Sequence, residues 1–270
     1  MSVSSLPKST GQACAFVILA TQRTGSNWLM GMLDAHPQIT VYDELFLPRA
    51  LGTDYRGRTD MEFFHSYLQR HEPRAGAIGR ARWGLRYLRG VFVPPAGEAA
   101  VGIKLMYGQL WKNPVLVPYL LARRVRVVHL TRANLLDVVL SEQTAIARQR
   151  FHANPGELVD TTAVHLDAQW LQAKLRTLDF RVRTARRLLR TLPLASIEIR
   201  YETLMAGGPE LARVLRFLGI AEAEAADGRS PFQKLNTRPR HELIVNHDEV
   251  TEALAATRYA HMLDGAAAGH

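Results

Sequence analysis

Residues 15–21 (AFVILAT) form an unbroken apolar run that ends at a turn-rich segment, the pattern of a strand covered on both faces. Directly after it, Trp28, Leu29, Met32 and Leu33 recur at helical spacing, which predicts a helix over 25–35 stopped by His36-Pro37. Residues 39–42, 101–105, 126–130 and 196–200 read as further strands, the last by the alternation of SIEIR. A long helical pattern covers 134–150, with Leu135, Val138, Val139 and Ala145 on one side. A second covers 166–192, is heavily basic in its latter half, and is closed by Pro193. Residues 210–218 read as a helix ended by Gly219. Strands alternating with helices predict an α/β fold, with a mostly parallel central sheet flanked by helices in a three-layer sandwich.

The alternation breaks between about 50 and 100. Residues 49–89 hold nine arginines (49, 56, 58, 70, 74, 80, 82, 86 and 89) against Asp54, Asp60, Glu62 and Glu72. This stretch reads as a basic helical or irregular insertion on the acceptor side, either a solvated face or a lid. It is not a second domain. With 270 residues and no internal repeat, the chain is expected to be one domain over 1–270, with flexible ends at 1–13 and 265–270.

Composition narrows the function classes. At 47% hydrophobic and 22% charged the chain has the makings of a core, so disorder as its main state is excluded. One cysteine, Cys14, excludes an internal disulfide framework and a cysteine-based zinc cage. The apolar runs at 14–20 and 115–122 are too short to span a membrane, and no signal peptide is evident, so a cytoplasmic protein is expected. The net charge of +9 favours anionic partners, whether nucleic acid, acidic lipid or a small polyanion. No nucleic-acid-binding signature accompanies it, and no metal-ligand spacing such as H-E-x-x-H occurs, so neither nucleic acid nor a metal is expected. Residues 181–190 (RVRTARRLLR) keep a non-catalytic nucleic-acid-binding protein as the alternative; a solvated helix face is the plainer reading.

The candidate chemistry starts at the first strand–loop–helix. Thr21-Gln22-Arg23-Thr24-Gly25-Ser26-Asn27-Trp28 places a glycine, two hydroxyls and an arginine at a helix N-terminus, where unpaired N–H groups and the helix dipole favour an anion. This P-loop-like arrangement is not a Walker A loop, since it lacks the lysine and the second glycine, which disfavours a divergent nucleotide kinase. Without a ligand, the same segment is simply a capped helix after a strand.

The segment Arg23-Thr24-Gly25-Ser26-Asn27-Trp28-Leu29 resembles the 5′-phosphosulfate loop of sulfotransferases that use 3′-phosphoadenosine 5′-phosphosulfate (PAPS), with Asn27 where a hydroxyl is common. Leu33-Asp34-Ala35-His36-Pro37 and Asp43-Glu44-Leu45-Phe46 look most like the bacterial carbohydrate branch, which includes the nodulation-factor and trehalose sulfotransferases. Val127-Val128-His129-Leu130-Thr131-Arg132 followed by Ser141 resembles the family's 3′-phosphate site; a salt bridge at Arg132 and a helix hydroxyl at Ser141 are the alternatives. Tyr201, in a Y-E-T-L segment, resembles a tyrosine beside the nucleotide. Lys234 resembles a basic contact to its 5′ side, and is otherwise a solvated lysine.

The resemblance implies sulfuryl transfer from PAPS to a hydroxyl of a carbohydrate, glycolipid or glycosylated metabolite, leaving adenosine 3′,5′-bisphosphate. Arg23 matches the cationic position at the leaving oxygen and can stabilise charge there, though with a pKa above ~12 it is a poor acid. Glu44 matches the region of the proposed general base; pairing with an arginine or holding the acceptor are its other roles, and Asp43 is the neighbour that could replace it. Lys104, in a G-x-K-L strand, would orient the sulfate or be a strand-end lysine with a packed stem. His129 reads as a satisfied buried histidine. A homodimer and contact with an anionic membrane surface are further expectations.

Overall fold

The computed structural model describes residues 13–47, 61–74, 76–94, 97–148, 162–221 and 238–263. Five strands form one parallel sheet in the order β2-β3-β1-β4-β5, with β1 Cys14–Ala20, β2 Ile39–Tyr42, β3 Ala100–Met106, β4 Arg126–Thr131 and β5 Ser196–Arg200. β1 lies at the centre, and the chain leaves it first toward β2 and β3 and later toward β4 and β5. The carboxyl end of β1 is therefore the topological switch point, where open parallel sheets collect ligands.

Each face of the sheet has its own core, which explains the unbroken apolar reading of β1. Val17 and Leu19 point to one side with Val101, Ile103, Leu105 and Val127. Phe16, Ile18 and Ala20 point to the other with Val41, Val128, Leu130 and Ile199. The second face is covered by α1 Ser26–Asp34, through Leu29, Met30 and Leu33, and by α9 Glu210–Leu218, through Val214, Leu215 and Leu218. α8 Tyr201–Met205 follows β5 and adds Leu204 there. The first face is covered by α2 Phe64–His71, α3 Ala77–Val91 and α5 Leu116–Ala122, with α4 Tyr107–Lys112 continuing β3. Pro118 occupies the first turn of α5, where its missing N–H has no partner to lose.

A third cluster joins α6 Leu135–Ala147, the first half of α7 Ala168–Thr191, α10 Arg240–Leu243 and α11 His247–Ala255. Side chains set two of these helix starts: Asn134 accepts from the Asp137 amide at 3.1 Å and Asp167 from the Trp170 amide at 2.7 Å. The described parts of the insertion are helical. α2 and α3 bury Phe64, Leu68, Tyr87, Leu88 and Val91 on one side, while their arginines keep the other in water.

Candidate functional site

The loop after β1 makes two left-handed turns in three residues, Arg23 at φ 63° and Gly25 at φ 82°. Gly25 is required for a second reason. A Cβ there would lie 2.3 Å from a ring carbon of Tyr201, the first residue of α8, so the ring rests directly on the glycine backbone. Thr24 is buried and its hydroxyl donates to the Thr21 carbonyl at 2.8 Å. The side-chain donor expected of Thr24 is thus turned inward, and the backbone amide is what this residue offers to the loop. Ser26 is buried and opens α1 with Asn27 and Trp28, whose amides have no preceding helical carbonyl to bond. The Trp28 side chain packs, half-buried, against the core beneath α1.

Beside this loop stands a cluster of arginines. Strand register sets the geometry: Thr131 pairs with Arg200, so the next residues, Arg132 and Tyr201, emerge side by side. The Arg132 guanidinium stacks 4.5 Å over the Tyr201 ring. It donates to the Arg23 carbonyl at 3.3 Å and to Asp137 Oδ2 at 3.1 Å. Arg23 in turn donates from Nε to Ser141 Oγ at 3.0 Å. Arg23, Gly25, Arg132, Ser141 and Tyr201, far apart in sequence, thereby form one contiguous group at the carboxyl ends of β1, β4 and β5. Burial first, then the charges of Arg132 and Arg148, push the Arg23 guanidinium below its ordinary pKa. Burial also pushes the Tyr201 phenol up, opposed by Arg132.

Asp137 is shared between Arg132 and Arg240, whose Nε donates to its Oδ1 at 2.8 Å. Arg240 also holds the carbonyls of Met262 and Leu263 at 2.7 and 3.0 Å, tying the C-terminal turn to the cluster. Glu142, the acid that opposes the depression at Arg23, is itself paired with Lys174 at 2.8 Å.

A second polar group lies one strand over, at the carboxyl ends of β2 and β3. On β3 the side-chain alternation puts Gly102 and Lys104 on the α1 face, and Phe16 fills the space above Gly102. Lys104 is 2% exposed and its ammonium donates to Asn27 Oδ1 at the start of α1. Because Tyr42 pairs with Ile103, the residues after Tyr42 arrive beside Lys104: Asp43 Oδ1 at 2.5 Å and Glu44 Oε1 at 3.3 Å. Glu44 Oε2 accepts from Gln109 Nε2 at 2.8 Å, and Gln109 is itself fixed by the Met106 amide at 3.0 Å. Glu44 therefore pairs with a lysine and an amide here. Lys104 is a paired interior cation under the loop.

His129 is buried, its Nε2 2.6 Å from the Tyr107 hydroxyl and its Nδ1 3.5 Å from Glu198 Oε2. His129 first, and then the bidentate Arg186, hold the Glu198 carboxyl well below the usual carboxylate range. Lys234 lies outside the described residues. The sequence reading missed Asp137, Gln109 and Arg240. Asp137, one helical turn before Ser141, was the most legible of these. Among the described residues no group of three or more His, Cys, Asp or Glu is placed to hold a metal ion. Trp111 and Trp170 are exposed on helix faces.

No family model matches the sequence, and no curated protein matches it. Among solved structures, the chain is similar to a sulfotransferase from Alicyclobacillus acidocaldarius, at 14% identity and a TM-score of 0.45 over 94% of this chain and 95% of that one. It is similar also to the sulfotransferase domain of the Synechococcus PCC 7002 olefin synthase, at 16% identity and a TM-score of 0.42 over 88% and 90%. A third is the sulfotransferase domain from the curacin biosynthetic pathway, at 14% identity and a TM-score of 0.43 over 96% and 86%. At such values the chemistry of this site has to be argued from its own geometry.

Proposed function

We propose that this chain is a sulfotransferase that moves a sulfuryl group from PAPS to a hydroxyl of a carbohydrate, glycolipid or glycosylated metabolite. The observation that carries the reading is the convergence of Arg23, Arg132, Ser141 and Tyr201 on the Gly25 turn. A half-buried, like-charged arginine pair with a helix hydroxyl and an aromatic face suits a phosphorylated nucleoside. Burial first and then the charge of Arg132 depress Arg23; a nearby anion offsets both, and the ring offers a flat surface.

In this reading Arg132 and Ser141 hold the 3′-phosphate, and the amides at the start of α1 hold the 5′-phosphosulfate. PAPS supplies the sulfuryl group; the acceptor oxygen bonds to sulfur as the bond to the phosphate oxygen breaks, and the acceptor proton passes to Glu44. Arg23 was expected at the leaving oxygen. Its Nε donates to Ser141 Oγ at 3.0 Å, which in this reading lets it serve the 3′ side of the nucleotide as well, and Lys104 is a second cation, beside both α1 and Glu44. Exchanging a carboxylate for a developing phosphate charge would let Lys104 favour the transition state over the ground state.

The test is selective stabilisation. Adenosine 3′,5′-bisphosphate is expected to raise the melting temperature, and adenosine 5′-phosphate to raise it much less. Equal shifts would remove the case for a 3′-phosphate pocket. A labelled sulfate donor offered to hydroxylated saccharides and lipids, read as a mass gain of one sulfuryl group, then identifies the acceptor.

A further inference from the structure

The strongest feature that the nucleotide reading leaves unused is the outer face of α3. Arg74, Arg80, Arg82, Arg86 and Arg89 fall within or just before this helix, and no Asp or Glu occurs from 73 to 94. Its inner face is anchored: Tyr87 packs on Phe46 and Phe64 at 5.9 and 5.3 Å, and its hydroxyl donates to the Glu62 carbonyl. The outer face is not purely polar. Ile78 is 87% exposed, Leu85 36%, and Val93, just past the helix, 62%. Ile78, Arg82, Leu85 and Arg89 follow one another at spacings of four, three and four, which sets them on a single stripe facing away from the core.

We infer that α3 is a docking helix for a bilayer surface carrying anionic headgroups. The charge is complementary to such a surface: among the described residues no carboxylate forms an ion pair with an arginine of α3, and Glu72 instead accepts from Trp83 Nε1 at 2.6 Å. The aliphatic side chains alternate with arginines along one exposed stripe. That pattern suits an interfacial helix, whose aliphatic side chains enter the acyl boundary while its arginines reach phosphates above them. The other basic helix makes the contrast. On α7, Arg183 is paired with Asp179 and Arg186 with Glu198, and Lys174 with Glu142, so much of its charge is already answered within the molecule. None of the residues on the α3 stripe belongs to the nucleotide cluster. The surface is also close to the second polar group. Phe46, two residues after Glu44, packs on Tyr87, so the docked face lies about one helix diameter, roughly 10 Å, from the Glu44 turn. Only the step from docking to a lipid-borne acceptor rests on the sulfuryl-transfer reading. Docking itself is measured with no donor present, so the two can fail separately.

The experiment is flotation of the full chain with vesicles of phosphatidylcholine alone or phosphatidylcholine mixed with phosphatidylserine. Binding is expected to the mixed vesicles only. The exposed pair Ile78→Asp and Leu85→Asp is expected to lower it at least ~10-fold. Arg82→Gln with Arg86→Gln should lower it about 25-fold, at roughly fivefold per arginine. Arg187→Gln with Arg190→Gln, on α7, should leave it unchanged. Circular dichroism of each variant shows whether the fold is kept. Absence of flotation overturns the inference. So does flotation untouched by Ile78→Asp with Leu85→Asp, which would mark a purely electrostatic surface for an acidic macromolecule, and so does loss caused by the α7 pair alone.

Discussion

Two polar groups sit at the carboxyl edge of the same sheet, one strand apart, and they treat charge in opposite ways. At the junction of β1, β4 and α6, the charge of Arg132 bears on Arg23, and Arg132 and Arg240 share Asp137. Under α1, the single Lys104 stands between Asp43 and Glu44 and is already more than neutralised. With the proposed nucleotide bound, the first group gains an anion that offsets its like charges. The second is complete as it stands, and holds its carboxylates in fixed positions. One group is built to bind and the other to act on what arrives beside it.

The sharpest way to break this division is to neutralise Glu44. Glu44→Gln keeps the shape and the Gln109 neighbour but removes the proton acceptor. Turnover is expected to fall by ~10²–10⁴-fold. Affinity for adenosine 3′,5′-bisphosphate, measured by calorimetry, should be unchanged, because no Glu44 contact reaches the arginine cluster. Near-normal turnover would move the base to Asp43 or elsewhere, and a parallel loss of nucleotide affinity would dissolve the distinction between the groups.

Stability separates the two groups next. Lys104→Met leaves two carboxylates without their buried cation, a change that costs ~3–5 kcal/mol. Arg23→Met removes a cation whose charged form the site disfavours, so the unliganded protein should melt at the same temperature or higher. The stabilisation given by adenosine 3′,5′-bisphosphate should shrink in Arg23→Met. Thermal melts of both variants, with and without the nucleotide, test this. An equal drop in both unliganded proteins would mean that the arginine cluster is as internally balanced as the lysine pocket.

The same division marks how far the sequence could be read. All five strands were legible because their apolar runs or alternation are local signals, and Arg132 and Gly25 because each ends or turns such a run. Lys104 was legible as a candidate, but its partners were not, since they are chosen by the register of β2 on β3, which no window of sequence contains. Gly25 was legible as a turn residue, while the ring that forbids a side chain there comes from Tyr201 across the sheet. α2 and α3 were legible only as a helical or irregular insertion; on α3, exposed Ile78 and Leu85 blur the contrast between its two faces. Arg240 looks like any surface arginine until Asp137 and the Met262 carbonyl are seen around it.

Within the binding group the smallest differences are the most informative. Arg132→Ala removes a charged contact and should weaken adenosine 3′,5′-bisphosphate by ~1.5–3 kcal/mol, or roughly 10- to 150-fold. Ser141→Ala removes one neutral hydroxyl and should cost only ~0.5–1.5 kcal/mol, roughly 2- to 12-fold. Ser141 Oγ, however, accepts from Arg23 Nε, so part of its value is to hold that guanidinium in place. The two effects are expected to be coupled: in an Arg23→Met background, Ser141→Ala should cost measurably less than in the parent protein. Titration calorimetry on the four proteins of that cycle gives the coupling directly. Additive losses would show that Ser141 meets the phosphate independently, and that its bond to Arg23 only parks the side chain when no nucleotide is present.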